Sequence, residues 1–278
     1  MNQRNNSITI LQTGRLGDLW FTTPLAWHLH QQGFEVEVAY NAKFGNPFTF
    51  FPYIKPRPLA LKNWFPGPRF GYGVNEMIWQ PAEWLKLKRR GGTVVWKQIF
   101  PYRLLQSLSK KKPYVECWYE KYPEVDFRRA PCDLEVTQGD TVLVFTESQS
   151  IRFKKDPAYY DWVFRNLEKV VTATGLRPLV VAYGNQPDHP DYETWRGSLE
   201  DYQRLIAGCG MIFGIVTSSH VLGQLLGKPL VTLYEQGQHP LGMIGGECIV
   251  LFQGEDLPDA GALTEYLPDC LFDGRGEP

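Results

Sequence analysis

The chain has 278 residues, long enough for one large domain or two modest ones that each bury a core. With 43% hydrophobic and 21% charged residues it has the make-up of an ordinary globular protein, and a formal net charge of −1 excludes a global pull toward nucleic acid or membrane. The polar start Met1–Asn6 argues against a secretory signal, no stretch approaches the ~18 apolar residues of a spanning helix, and five scattered cysteines with no Cys-x-x-Cys pair predict reduced thiols in a cytoplasmic protein.

Strand-like apolar runs alternate with helix-like segments along the chain, the pattern of an α/β architecture with parallel sheets. Ser7–Gln12 reads as a strand, Leu19–Gln32 as a helix, and the alternation of Phe34–Tyr40 as a second strand. Residues 52–73 carry five prolines and several glycines and read as a long loop. Glu76–Gln80 then reads as a short strand, with a helix from Pro81. From Lys86 to Lys112 there are nine Lys or Arg and no acidic residue, interleaved with Trp96, Phe100 and Tyr102. Such a stretch suits an anionic partner, either a phosphate-bearing acceptor or an anionic membrane surface, though a solvated helix face explains it too.

The polar segment Asp133–Asp140 is the expected linker, which divides the chain into 1–137 and 138–278. Beyond it, strands are expected at Thr141–Thr146, Arg177–Tyr183, Met211–Val216, Pro229–Tyr234 and Glu247–Phe252. Helices are expected at Asp156–Thr174, Leu199–Cys209 (capped by Ser198), Ser219–Leu226 and Ala260–Tyr266.

Two strand-to-helix loops stand out chemically. Residues 13–24, Thr-Gly-Arg-Leu-Gly-Asp-Leu-Trp-Phe-Thr-Thr-Pro, follow the first strand and set a cation, Arg15, three residues before a carboxylate, Asp18. A glycine-containing loop at a helix start offers N–H groups and the positive helix end to an anion, although Asp18 there also serves as a simple first-turn charge. Thr217-Ser218-Ser219-His220 follows a later strand and offers three hydroxyls at a helix start, where capping is the plainer role. Gly-x-Gly-x-x-Gly is absent after the first strand, which disfavours a dinucleotide-binding oxidoreductase.

The string Arg-Leu-Gly-Asp-x-x-x-Thr-x-Pro at residues 15–24 resembles the N-terminal signature of the heptosyltransferases, glycosyltransferase family 9. Ser198–Tyr234, with its small polar loop, histidine-bearing helix and Gly-Lys-Pro, is similar to that family's donor-site segment, except that Val216 stands where the family usually carries an aspartate. Thr146–Trp162 matches a third segment in part, with Thr146, Ser148 and Ser150 as its hydroxyls and Lys154 or Lys155 as its lysine. The resemblance implies a GT-B fold, two Rossmann-like domains whose parallel sheets face each other across a cleft, with an acceptor side in the first and a nucleotide-sugar site in the second. It implies an inverting glycosyltransferase that needs no metal or other cofactor and uses a nucleotide diphosphate sugar as co-substrate.

On that reading Asp18 is the general base and Arg15 orients an anionic group. Thr146, Ser148, Lys154, Lys155, Thr217, Ser218, Ser219, His220 and Glu235 bind the donor. Lys86, Arg89, Arg90 and Trp96 are the acceptor candidates, for an anionic glycan such as lipopolysaccharide core. Two rivals remain: transfer to a modified nucleic-acid base, which the basic stretch suits, and a non-catalytic GT-B-like binding protein, which the missing aspartate and short length suit.

Overall fold

The computed structural model describes residues 6–62, 64–65, 70–89, 93–95, 114–147, 156–182, 184, 186–235 and 249–268, the side chains of 70–73, 95, 114, 115 and 118 excepted. These residues divide into two compact units between Asp133 and Leu134.

In the first unit β1 (Ser7–Leu11), β2 (Glu35–Asn41), β3 (Ile54–Leu59) and β4 (Thr93–Val95) form a parallel sheet in the order β3-β2-β1-β4. Ile8 and Ile10 of β1 lie in register with Val36 and Val38 of β2, and all four are buried. The expected helix over 19–32 is two helices, Leu16–Trp20 and Thr23–Gln31. Pro24 has no N–H to continue the ladder, and the hydroxyl of Thr23 donates to the Trp20 carbonyl instead, at 2.8 Å.

Two expectations fail in this unit for identifiable reasons. The proline-rich 52–73 is not all loop, because β3 runs through Pro56 and Pro58. Both prolines fall on alternate residues of an edge strand, so their missing donors face away from β2, while Arg57 and Lys55 reach Glu37 and Glu35 across the pair at 2.7 and 3.1 Å. Glu76–Gln80 is not a strand but the middle of a helix, Phe70–Arg89, that continues through Pro81. Its inward positions include Asn75, Glu76 and Gln80. A buried stripe that mixes these polar side chains with Trp79 and Leu87 blurs the 3.6-residue apolar period.

The second unit is a parallel sheet of β5 (Thr141–Phe145), β6 (Arg177–Val181), β7 (Thr194–Trp195), β8 (Met211–Ile215), β9 (Leu230–Tyr234) and β10 (Ile249–Phe252), in the order β10-β9-β8-β5-β6-β7. Its core joins Val142, Val144, Phe213, Ile215, Val231 and Leu233 of the strands to Tyr159, Trp162, Val163, Leu167 and Val170 of helix Pro157–Thr174. Asp156 caps that helix by accepting from the Tyr159 N–H at 3.0 Å, and Gly175 ends it at φ +62°. Ser198 caps helix Leu199–Gly208 as its sequence predicts, accepting from the Asp201 N–H at 3.1 Å.

The expected linker is fastened down at several points. The Thr137 N–H donates to the Ala207 carbonyl at 3.1 Å and Gln138 Nε2 to the Gly210 carbonyl at 3.0 Å. Lys228 of the Gly-Lys-Pro turn donates through Nζ to the carbonyls of Thr137 and, at 2.7 Å, Cys209. Gly227 makes the turn at φ +70°, so this motif is a structural clamp that seats a cation at the carboxyl end of helix Leu199–Gly208.

Each sheet reverses its order once. In the first, β1 has β2 on one side and β4 on the other; in the second, β5 has β6 on one side and β8 on the other. Ligands of open parallel sheets bind outside the carboxyl ends of the strands at such a reversal. The loop 12–18 follows β1, and residues 146–147 and 216–217 follow β5 and β8.

Candidate functional site

In the first unit the loop after β1 folds back on itself. The Gly14 N–H donates to Gln12 Oε1 at 2.9 Å, and the Arg15 N–H donates to Asp18 Oδ2 at 2.9 Å, which holds the carboxylate at the helix start. A Cβ on Gly14 would meet Asp18 Oδ2 at 2.5 Å and Asp18 Cβ at 2.8 Å, so only glycine leaves room for this arrangement. Burial pushes the Asp18 carboxyl up to about 6, against the lowering effect of the Arg15 N–H and guanidinium. Near neutral pH it is an ionised but proton-seeking group.

Two further side chains belong to this site and carry no signal in the motif. Glu76, buried on helix Phe70–Arg89, lies in the field of both Asp18 and Arg15. Burial, then the charge of Asp18, pushes it up to about 8, and Gln80 Nε2 donates to its Oε1 at 3.1 Å. Burial and mutual repulsion thus both disfavour ionising the second carboxyl of the pair once the first is charged. Lys43, just past β2, is lowered to about 8 by burial and by the charge of Arg15, which places a second cation beside the first. Position offers a clue to Lys43, since it stands just past the strand beside β1. Glu76 is legible only once its segment is known to be helical.

In the second unit β8 presses against β5 at Gly214, whose φ is +129° and whose absent Cβ would lie 2.1 Å from the Phe145 carbonyl oxygen. Thr217 then caps helix Ser218–Leu225, its Oγ1 accepting from the Ser219 N–H at 3.3 Å. His220 Nδ1 accepts from the Thr217 N–H at 3.3 Å, and Ser219 Oγ lies 2.5 Å from Thr217 Oγ1. His220 is fully buried edge-on to Phe145, and burial lowers it to about 3, so the ring is neutral with its proton on Nε2.

The residues expected to bind the donor thus separate. Ser219 and His220 are buried, with Ser219 Oγ and His220 Nδ1 bonded within the loop, while Thr217 and Ser218 are partly exposed. Thr146 is buried at the end of β5, its hydroxyl accepting from Gln186 Nε2 at 3.2 Å. Val216 is buried at the position of the family's aspartate. Glu235 is partly exposed just past the carboxyl end of β9. Ser148, Lys154 and Lys155 lie outside the described residues, as do Arg90 and Trp96. Lys86 and Arg89 are exposed at the end of helix Phe70–Arg89, with Lys86 paired to Glu83. Among the described residues no group of three or more His, Cys, Asp or Glu is placed to hold a metal ion.

No protein-family model and no curated protein sequence matches the chain. Solved structures do. The Escherichia coli heptosyltransferase WaaC with ADP superposes with a TM-score of 0.58 at 18% identity, over 94% of this chain and 98% of that one. The chain has the heptosyltransferase GT-B fold. The family 9 glycosyl transferase of Veillonella parvula gives 0.59 at 13% identity, over 91% and 87%. The E. coli ADP-heptose lipopolysaccharide heptosyltransferase II gives 0.57 at 14%, over 97% and 100%.

Proposed function

We propose that the chain is a glycosyltransferase that moves a sugar from a nucleoside diphosphate to a hydroxyl acceptor, with inversion and without a metal. The observation that carries this reading is the siting of both chemically marked loops at the order reversals of two parallel sheets. Asp18 is the general base. As the acceptor oxygen attacks the anomeric carbon, Asp18 takes the hydroxyl proton, the carbon–oxygen bond to the diphosphate breaks, and the diphosphate leaves with the electron pair. Arg15 and Lys43 hold an anionic group of the acceptor beside it. Ser218 and the start of helix Ser218–Leu225, which Thr217 caps, hold the diphosphate, with Lys154 or Lys155 supplying a cation for the charge that develops on it.

The WaaC structure contains ADP, which makes ADP the first nucleotide to test. A ligand that binds the native state raises its melting temperature. ADP is expected to raise Tm in both the wild type and Asp18→Asn, whereas only the wild type transfers sugar from an ADP-linked donor to an anionic glycan acceptor. No Tm shift with any nucleoside diphosphate, or full transfer by Asp18→Asn, defeats the proposal.

A further inference from the structure

Along its inward side helix Phe70–Arg89 passes from polar to apolar. Leu87, near its end, packs with Leu11 of β1 and Ala39 of β2, which lie in register. Earlier turns place Gln80 and Glu76 inward, 1% and 5% exposed. Gln80 stands about 10 Å before Leu87 along the helix, and Asn41 about 7 Å past Ala39 on the same face of β2. Glu76 lies in the field of Asp18 and Arg15, which sets the polar turns over the loop that follows β1. Asn41, 3% exposed, therefore stands level with those polar turns rather than with Leu87.

Most polar atoms of this corner are engaged. Asn75 Oδ1 accepts from the N–H groups of Trp64 and Phe65 at 2.8 and 3.1 Å, and its Nδ2 donates to the Phe65 carbonyl at 2.8 Å. Gln80 Nε2 donates to Glu76 Oε1 at 3.1 Å, and Asn41 Oδ1 accepts from the Lys43 N–H at 3.2 Å. Two atoms remain, Gln80 Oε1 and Asn41 Nδ2, an acceptor and a donor. Both are buried, and neither has a hydrogen-bond partner among the described residues. Buried polar atoms in native proteins are nearly always paired, so these two point to a bound group. A hydroxyl supplies both partners at once, donating to Gln80 Oε1 and accepting from Asn41 Nδ2. An ionised carboxylate has no proton to give the first, and an ammonium has no lone pair for the second.

We propose that Asn41 and Gln80 read a second hydroxyl of the acceptor, carried next to the one that Asp18 deprotonates, so that the acceptor is a diol of the kind a sugar ring presents. Asp18's part in this rests on the proposed function; the hydroxyl subsite itself does not. The division of labour follows from charge. Arg15 and Lys43 serve an anionic group, whereas the two amides are neutral and offer one donor and one acceptor. An analogue that lacks the hydroxyl leaves both amide atoms unpaired in the complex, and a site built to bond a hydroxyl rejects such an analogue strongly. Asn41 and Gln80 are therefore specificity-determining residues that touch no reacting atom.

The test uses two ring alcohols that differ by one hydroxyl, cyclohexanol and its vicinal cis-diol. In the first arm the isotope-labelled full chain is titrated with each by NMR. The side-chain amide signals of Asn41 and Gln80, identified by their loss in Asn41→Asp and Gln80→Met, report binding. The diol is expected to shift both signals and to bind at least about tenfold more tightly than cyclohexanol, a preference that each variant reduces to below about threefold. Asn41→Asp keeps the oxygen that accepts from the Lys43 N–H, Gln80→Met keeps the side-chain length, and Tm checks that each variant folds. The wild-type preference remains a test by itself should a variant fail to fold. In the second arm, kcat/KM for transfer from an ADP-linked sugar is expected to favour the diol over cyclohexanol by at least about tenfold. Wild type that binds the two alcohols alike, or folded variants that keep the preference, overturn the proposal. So do amide signals that neither alcohol moves, because a water or another stretch of the chain then fills the subsite. Diol binding without sugar transfer defeats the transferase reading alone; sugar transfer with no diol preference defeats the subsite alone.

Discussion

The loops after β1 and after β8 both stand at the order reversal of a parallel sheet, yet they solve different problems. The first gathers charge: Lys43, Asp18 and Glu76 each lie in the field of Arg15, each carboxyl raised by burial and Lys43 lowered. The second gathers neutral hydrogen-bonding groups and uses most of them internally, with His220 uncharged and Ser219 turned inward. A cluster of raised and lowered groups is what moving a proton requires. A rigid, pre-bonded turn is what holding an anion requires, because nothing need reorganise when the ligand arrives. The comparison teaches that the two halves of the proposed reaction are separated by chemistry as well as by sequence.

The largest effect expected from breaking this division is at Asp18. Asp18→Asn keeps the N–H acceptor oxygen but removes the base, and transfer should fall by roughly 10²–10⁴-fold while ADP still raises Tm. Wild-type transfer should climb through a pH of about 6 as Asp18 loses its proton, and this limb should vanish in the variant. Gly14→Ala asks a narrower question. Its methyl would have to occupy space 2.5 Å from Asp18 Oδ2, so the carboxylate must move while its charge survives. A shift of about 1 Å in a reacting group costs on the order of 10²-fold in rate. Unchanged turnover in Gly14→Ala would show that the fold-back geometry of this loop is incidental.

Much of the second unit is legible in its residues because its strands are continuous apolar runs and its helices carry recognisable caps, Ser198 and Asp156 among them. The first unit is less legible where function or an edge overrides pattern. β3 hides behind Pro56 and Pro58, which read as loop until the strand is known to have one free side. Helix Phe70–Arg89 hides because its inward stripe mixes Asn75, Glu76 and Gln80 with Trp79 and Leu87. The strand–loop–helix placement of Asp18, Arg15 and Thr217 is legible in the sequence pattern. The facing of Ser219 and His220 is not, since capping and ligand binding ask for the same residue types at a helix start. Glu76 is not legible either, because a lone glutamate in a misassigned segment looks like a solvated charge.

That hidden glutamate sharpens the comparison through stability. Its carboxyl is raised in the folded state, so folding favours the protonated form. The resulting penalty is absent below about pH 4.5, grows as pH rises toward 8, and stays constant above that. Glu76→Gln removes the penalty and keeps the volume. The variant should be more stable than wild type at pH 8, and indistinguishable at pH 4, by urea unfolding. A destabilised variant at pH 8 would mean that the ionised carboxylate is held by partners that favour its charge. Stability gained with transfer lost would mark Glu76 as a group kept for activity at the expense of the fold.

The smallest effects are expected in the second loop, where two neighbouring hydroxyls should behave oppositely. Thr217 Oγ1 accepts from the Ser219 N–H and meets the Ser219 hydroxyl, so Thr217→Val leaves a helix start uncapped. The expected cost is about 1 kcal/mol in urea unfolding, with the ADP-induced Tm shift reduced only in step with that loss. Ser218 is the partly exposed first residue of the helix and takes no part in the Thr217–Ser219–His220 network. Ser218→Ala should leave stability within about 0.5 kcal/mol and weaken ADP by at least about tenfold, the worth of one hydrogen bond to a charged oxygen. If both variants lost stability and neither lost ADP, the loop would be a cap and nothing more, and the diphosphate would have to be held elsewhere at the carboxyl ends of β5 and β8.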